Sequence, residues 1–172
     1  IYATSRWGHH NYELLLMRDD GTCKTRVTLH EGADVLPVFS PDGKYLVYNV
    51  RVSGNQKLFR FDLDTKKKTQ LTFGTQDETA ASFIDDNTLT FASTATDPAV
   101  PLEPEVAKNG NIYNIWTLDL KNGELRQYTD AVGGNWSPVV LSEGGVKSNK
   151  IAFISYYKNE YSIRTLERKE PL

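Results

Sequence analysis

Side chains able to carry chemistry are few in this chain, and they stand far apart. Histidine occurs at His9, His10 and His30. In extended backbone, adjacent side chains point to opposite faces, so His9 and His10 cannot ligate one ion together unless they lie in a loop. They read as solvated loop residues, and no metal is expected. Cys23 is the single cysteine, which excludes an internal disulfide and a four-thiolate zinc site and leaves it as a small, half-buried strand residue. Gly-x-Ser-x-Gly, His-Glu-x-x-His and Gly-x-x-x-x-Gly-Lys-Ser/Thr are all absent, so neither an elbow nucleophile nor a phosphate loop is present as a motif. Asp19-Asp20, Asp62 with Asp64, and Asp85-Asp86 fall at turn positions, where Asp bonds to the local backbone. Ser40 and Asp42 sit in Ser-Pro-Asp-Gly and read as turn residues rather than a catalytic pair. Lys66-Lys67-Lys68 has no aromatic residues interleaved with it and reads as protection of a sheet edge, not as a nucleic-acid contact. No catalytic residue and no cofactor is assigned, and the chain is not expected to be an enzyme.

The elements that must position these residues are strands. With 172 residues, 39% of them hydrophobic, the chain is long enough for one packed domain. A formal net charge of −2 gives no general attraction to phosphate backbones or anionic lipid, so no nucleic acid is expected as a partner. No run reaches the 18 or so apolar residues of a membrane helix, and no direct membrane insertion is expected. Alternation such as Phe59, Phe61, Leu63 against Leu58, Arg60, Asp62 has the strand period of two, and no comparable stretch has the helical one.

Laid against itself, the chain repeats. Residues 12–28 (YELLLMRDDGTCKTRVT) match 56–72 (QKLFRFDLDTKKKTQLT) and 113–129 (YNIWTLDLKNGELRQYT), with an incomplete copy, YSIRTLE, at 161–167. A second pattern, LPVFSPDGKYLVYNV at 36–50, interleaves with the first and recurs more weakly at 80–94 and 137–156. Asp42-Gly43 reads as a two-residue type I′ hairpin turn. Four strands per unit of roughly 40 to 45 residues is the signature of a β-propeller. The expected fold is therefore all-β: a propeller piece of about four blades of four-stranded antiparallel sheets, lettered A to D outward. Blade one spans 1–30 and is incomplete, blade two 34–73, blade three 78–130 with an insertion at 95–111, and blade four 136–172, also incomplete. Strand A of the first blade and strand D of the last are missing, and the chain opens on Ile1 inside a strand. The 172 residues are thus expected to be a consecutive piece of a larger, six- to eight-bladed propeller.

FSPDGK at 39–44, then YLVYNV and LFRFDLDTKKKTQLT, resembles the TolB-type propeller repeat, a WD-repeat-like blade. Blade two matches that pattern almost throughout. Blade three replaces Ser-Pro-Asp-Gly by Phe83-Ile84-Asp85-Asp86, and blade four keeps Ser137-Pro138. The resemblance implies a periplasmic or cell-envelope setting and a protein partner, such as an envelope lipoprotein or a membrane complex. The same repeat occurs in propellers attached to prolyl-oligopeptidase-like and tricorn-like peptidases. An accessory substrate-screening propeller is therefore the alternative implication.

In such a fold the D-to-A connections and the B-to-C loops emerge at one end, and unusual residues gather there. Trp7, His9 and His10 lie in the first B-to-C loop. Glu31 and Asp34, then Asp77 and Glu78, then Asn135 and Trp136 lie in successive D-to-A connections. This end is the expected platform for a protein partner, with exposed Trp7 and Trp136 as anchors.

Overall fold

The computed structural model describes residues 1–5, 11–29, 32–96 and 112–168. Fourteen strands and no helix occur among them. They form four antiparallel sheets. The first holds β1 (Tyr2–Thr4), β2 (Glu13–Leu16) and β3 (Thr25–Arg26). The second holds β4 (Asp34–Phe39), β5 (Tyr45–Val52), β6 (Asn55–Asp62) and β7 (Lys68–Gln70). The third is β8 (Glu78–Asp85), β9 (Thr88–Ser93), β10 (Asn114–Asp119) and β11 (Leu125–Gln127), and the fourth is β12 (Asn135–Glu143), β13 (Val146–Tyr157) and β14 (Glu160–Glu167). Each sheet is a meander in chain order, so β4 to β7 and β8 to β11 are complete A-to-D sets. The first sheet lacks strand A and the fourth lacks strand D among the described residues.

Sheets pack face to face in sequence, which explains why β5 is buried at every position from Tyr45 to Val50. Leu46, Tyr48 and Val50 turn toward the first sheet and meet Leu14, Ala3 and Val27. Tyr45 and Val47 turn the other way, onto Phe83, Leu89, Phe91, Trp116 and Leu118 of the third sheet. The Tyr45 and Phe83 rings meet edge to face at 5.6 Å. Ile84 joins the third sheet to Val140 and Ile151 of the fourth.

A lock recurs where each outer strand ends. Thr28, Thr72 and Thr129 follow β3, β7 and β11, and each side-chain oxygen accepts a backbone N–H from the adjoining strand: Leu14 at 3.0 Å, Leu58 at 2.9 Å, Ile115 at 2.9 Å. Two residues earlier, Arg26, Gln70 or Gln127 folds back to donate to that threonine's carbonyl. The Thr hydroxyl in turn donates to Glu13, Glu78 or Asn114. The Val-Thr, Leu-Thr and Tyr-Thr closures of the sequence repeat are therefore side-chain substitutes for a ladder bond at the sheet edge.

The Ser40–Lys44 turn differs from expectation. Gly43 has φ 71°, but Asp42 is not in the positive region, and the hairpin closes by Ser40 N–H donating to the Tyr45 carbonyl across a four-residue loop. Pro41 has no N–H to complete a two-residue hairpin around Asp42-Gly43, and the turn centres instead on Pro41-Asp42, with Gly43 N–H donating to the Ser40 carbonyl. Ser40 Oγ donates to Asp42 Oδ1 at 2.7 Å, and Lys44 N–H donates to the same oxygen at 3.1 Å, so both side chains hold the turn. The double-positive geometry appears instead at Ser53-Gly54, Gly144-Gly145 and Lys158-Asn159. Cys23 is exposed and lies outside a strand, at φ 51°, because β3 begins only at Thr25.

Candidate functional site

The end bearing the D-to-A connections is knitted together by backbone groups. Asn11 donates to the Gly32 carbonyl at 2.7 Å, and Asp34 N–H to the Tyr12 carbonyl at 2.8 Å. Asn135 N–H donates to Tyr113 O, and Tyr156 N–H to Gly134 O. The B-to-C segments of the first and third sheets are thus tied to the connection leaving the same sheet, and β13 of the fourth sheet to the connection entering it.

Asp77 is half-buried and acts as a clasp. Its Oδ1 accepts Gln56 N–H at 2.6 Å, its own N–H donates to Thr94 Oγ1 at 2.9 Å, and its carbonyl accepts Thr94 N–H. The next residue, Glu78, belongs to β8 and is 1% exposed. Lys57 Nζ donates to Glu78 Oε2 at 3.0 Å and also to the Gln76 carbonyl, while Thr72 Oγ1 donates to the same Glu78 oxygen. Burial pushes the Glu78 carboxyl above its ordinary range, and the Lys57 bond opposes that shift. Asp34 and Asn135 occupy the place of Glu78 in their own sheets, opposite Val50 and Ser155 as Glu78 is opposite Ser93, and both are buried.

Three of the residues anticipated as a docking platform are thus interior. Asp34, Glu78 and Asn135 open the first strands of sheets two to four and are buried, at 0%, 1% and 4% exposure. Trp136 is also within a strand and only partly exposed, with its ring between Tyr113 and Tyr161 at 6.3 and 6.4 Å. Gly134 lies beneath that indole, where an added Cβ would come within 2.7 Å of the ring. Trp7, His9, His10 and Glu31 lie outside the described residues, as does most of the 95–111 insertion.

Other side chains face solvent at this end. Leu29 and Phe73, each directly after a locking threonine, are 77% and 65% exposed, and Val132 of the third connection is 57% exposed. The 44-residue repeat that pairs Thr28 with Thr72 also pairs Leu29 with Phe73, so the signal was present as an apolar residue where strand alternation has stopped. An open groove of about 320 Å³ adjoins Val132 and is lined also by Asn135, Ser155 and Tyr157. Among the described residues, no group of three or more His, Cys, Asp or Glu side chains could hold a metal ion. The end offers apolar tips on a hydrogen-bonded frame, which suits contact rather than bond making.

No family model matches the chain. A protein TolB homolog of Chlorobium luteolum is 36% identical over 63 residues, which are 37% of this chain and 14% of that protein. The structure of a putative TolB from Agrobacterium tumefaciens superposes with a TM-score of 0.74 at 18% identity, over 96% of this chain and 56% of that one. TolB from Acinetobacter baumannii gives 0.69 at 19%, over 94% and 37%. A puromycin hydrolase structure gives 0.62 at 16%, over 91% of this chain and 23% of the hydrolase. This chain thus spans between about one seventh and little more than half of the TolB proteins it matches. Its four sheets have the fold of a run of blades from a TolB-like β-propeller.

Proposed function

We propose that these blades serve a non-catalytic protein-interaction module, with the end bearing the D-to-A connections as the contact surface. The supporting observation is that Leu29, Phe73 and Val132 recur as solvent-facing apolar residues on three successive connections, while the polar groups beside them are spent on internal bonds. Apolar residues held on a rigid frame lose little freedom when a partner covers them. Trp7, His9, His10 and Glu31 extend the same surface in sequence, and half-exposed Trp136 adds an aromatic edge. The TolB resemblance supports a periplasmic or envelope setting, with a lipoprotein or membrane complex as partner. In a crosslinking capture from envelope extract, Leu29→Glu with Phe73→Glu and Val132→Glu removes the specific partner while the melting temperature holds. Undiminished capture by this variant rejects the surface.

The likeness to puromycin hydrolase supports a second reading, a propeller that screens substrates for a hydrolase domain. A Gly-x-Ser-x-Gly segment in the parent gene would decide for it.

A further inference from the structure

Arg164 holds a register place that aromatic side chains fill in the second and third sheets. It pairs with Phe153 as Trp116 pairs with Phe91 and Phe59 with Tyr48. Both aromatic residues are buried in a seam between sheets: Trp116 shares a cluster with Tyr45 and Val47 of the second sheet, and Phe59 one with Leu14 of the first. Arg164 faces the next seam, because Leu166, two residues along the same strand face, packs against the cluster that holds Ile84 of the third sheet. A guanidinium on a flexible stem thus replaces a ring, and the seam is open beside it. The groove of about 320 Å³ is lined by Asp130 and Val132 of the third connection, by Phe153, Ser155 and Tyr157 of β13, and by Arg164. Ile84, Val140 and Ile151, the apolar cluster of this seam, do not reach it. Its walls are the third connection, β13 and the seam face of β14, so the opening traces to the residue at 164 rather than to the outer edge of that strand. The Arg164 side chain makes one bond, Nε donating to Ser162 Oγ at 3.4 Å, and pairs with no carboxylate among the described residues.

We propose that this groove receives one acidic side chain of a protein partner, its carboxylate on the Arg164 guanidinium and an adjoining apolar residue against Val132, Phe153 and Tyr157; this rests on the reading of the same end as a contact surface and gives the partner its chemistry. The planar guanidinium offers a carboxylate two parallel N–H donors, and bonds between charged groups are the stronger kind. Ser155, 4% exposed, adds a neutral polar group to the lining. Asp130 lines the same groove and repels a second acid, so the occupant is a segment with a single Glu or Asp beside an apolar residue, not a polyanion. Val132 belongs to both the groove and the row of apolar tips, which makes the two parts of one footprint.

The test titrates the chain with the blocked tetrapeptide acetyl-Gly-Leu-Glu-Gly-amide and follows it by nuclear magnetic resonance. Saturable shifts are expected at the Arg164 Nε–H and at the Val132 and Ser155 amides. Glutamine in place of the peptide's glutamate, or Arg164→Gln in the chain, weakens binding about tenfold. Arg164→Trp, which fills the groove with the side chain of the third sheet, abolishes binding and raises the melting temperature. Equal binding of the glutamate and glutamine peptides, unchanged binding by Arg164→Gln, shifts confined to other residues, no binding at millimolar peptide, or acetate binding as tightly as the peptide would each overturn the proposal. In the envelope capture, Arg164→Gln lowers the yield of the specific partner. A yield that Arg164→Gln leaves intact and the Leu29, Phe73 and Val132 variant removes overturns the groove alone, whereas a yield intact in both rejects the contact surface itself.

Discussion

Lys57 Nζ lies 3.0 Å from Glu78 Oε2, with each side chain 2% exposed, and the contact ties the third strand of one sheet to the first strand of the next. A pair so enclosed depends on both members, because either charge alone would be left in the interior. Lys57→Met is expected to destabilise the chain by about 3–5 kcal/mol, whereas Lys57→Met with Glu78→Leu recovers most of the loss. Urea unfolding of the single and double variants measures the difference.

Thr72→Val keeps the shape of the side chain but strips Leu58 N–H and Glu78 of a partner. The expected cost is about 2 kcal/mol. Thr22→Val removes only an exposed bond to Asp20 and should stay within about 0.5 kcal/mol of the parent. The same denaturation series compares them.

Two glycines separate crowding from backbone strain. A Cβ on Gly133 would sit 2.0 Å from the Tyr156 carbonyl oxygen, so Gly133→Ala should cost about 3 kcal/mol. Gly21 has open space but φ 80°, and Gly21→Ala should cost about 1 kcal/mol. Melting temperatures order the two variants.

Asp42 titrates at about 2, held down first by the Ser40 hydroxyl and then by Lys44. A carboxyl lowered on folding adds stability above its unfolded value of about 3.9 and loses it as pH falls toward the folded value. The gap in melting temperature between the parent chain and Asp42→Asn is therefore expected to be widest above pH 5 and to close near pH 2. A gap that grows on acidification would contradict the assignment.

What the sequence shows of this molecule follows the range of its interactions. Period-two alternation is local and legible from neighbouring residues, and so is the presence of a turn at Ser40–Lys44, but its type is not, because the loop is closed by Ser40 and Tyr45 outside the Asp42-Gly43 pair. The Thr72 lock links residues 14 apart and the Lys57–Glu78 pair residues 21 apart, so nothing beside Glu78 in the chain marks it as interior. Placing Asp34, Glu78 and Asn135 in connections rather than at strand starts followed from that. Trp136 was read as exposed because Tyr113 and Tyr161, the rings that flank it, lie more than 20 residues away on each side. The repeat pairs Leu29 with Phe73 but does not show which way they face, because an isolated apolar residue after a threonine has the same composition whether it points in or out.

The place filled by Glu13, Lys57 and Asn114 in three successive sheets, and the place filled by Asp34, Glu78 and Asn135 in the sheets that follow, carry different residue types from seam to seam, and at the second seam the base and the acid bond directly. Were the fourth sheet to follow the second, the Lys57 ammonium would meet an amide with no charge to receive it. The blades are therefore not interchangeable tiles, and a permuted or shuffled version of this chain would be penalised at the seams even with every strand intact.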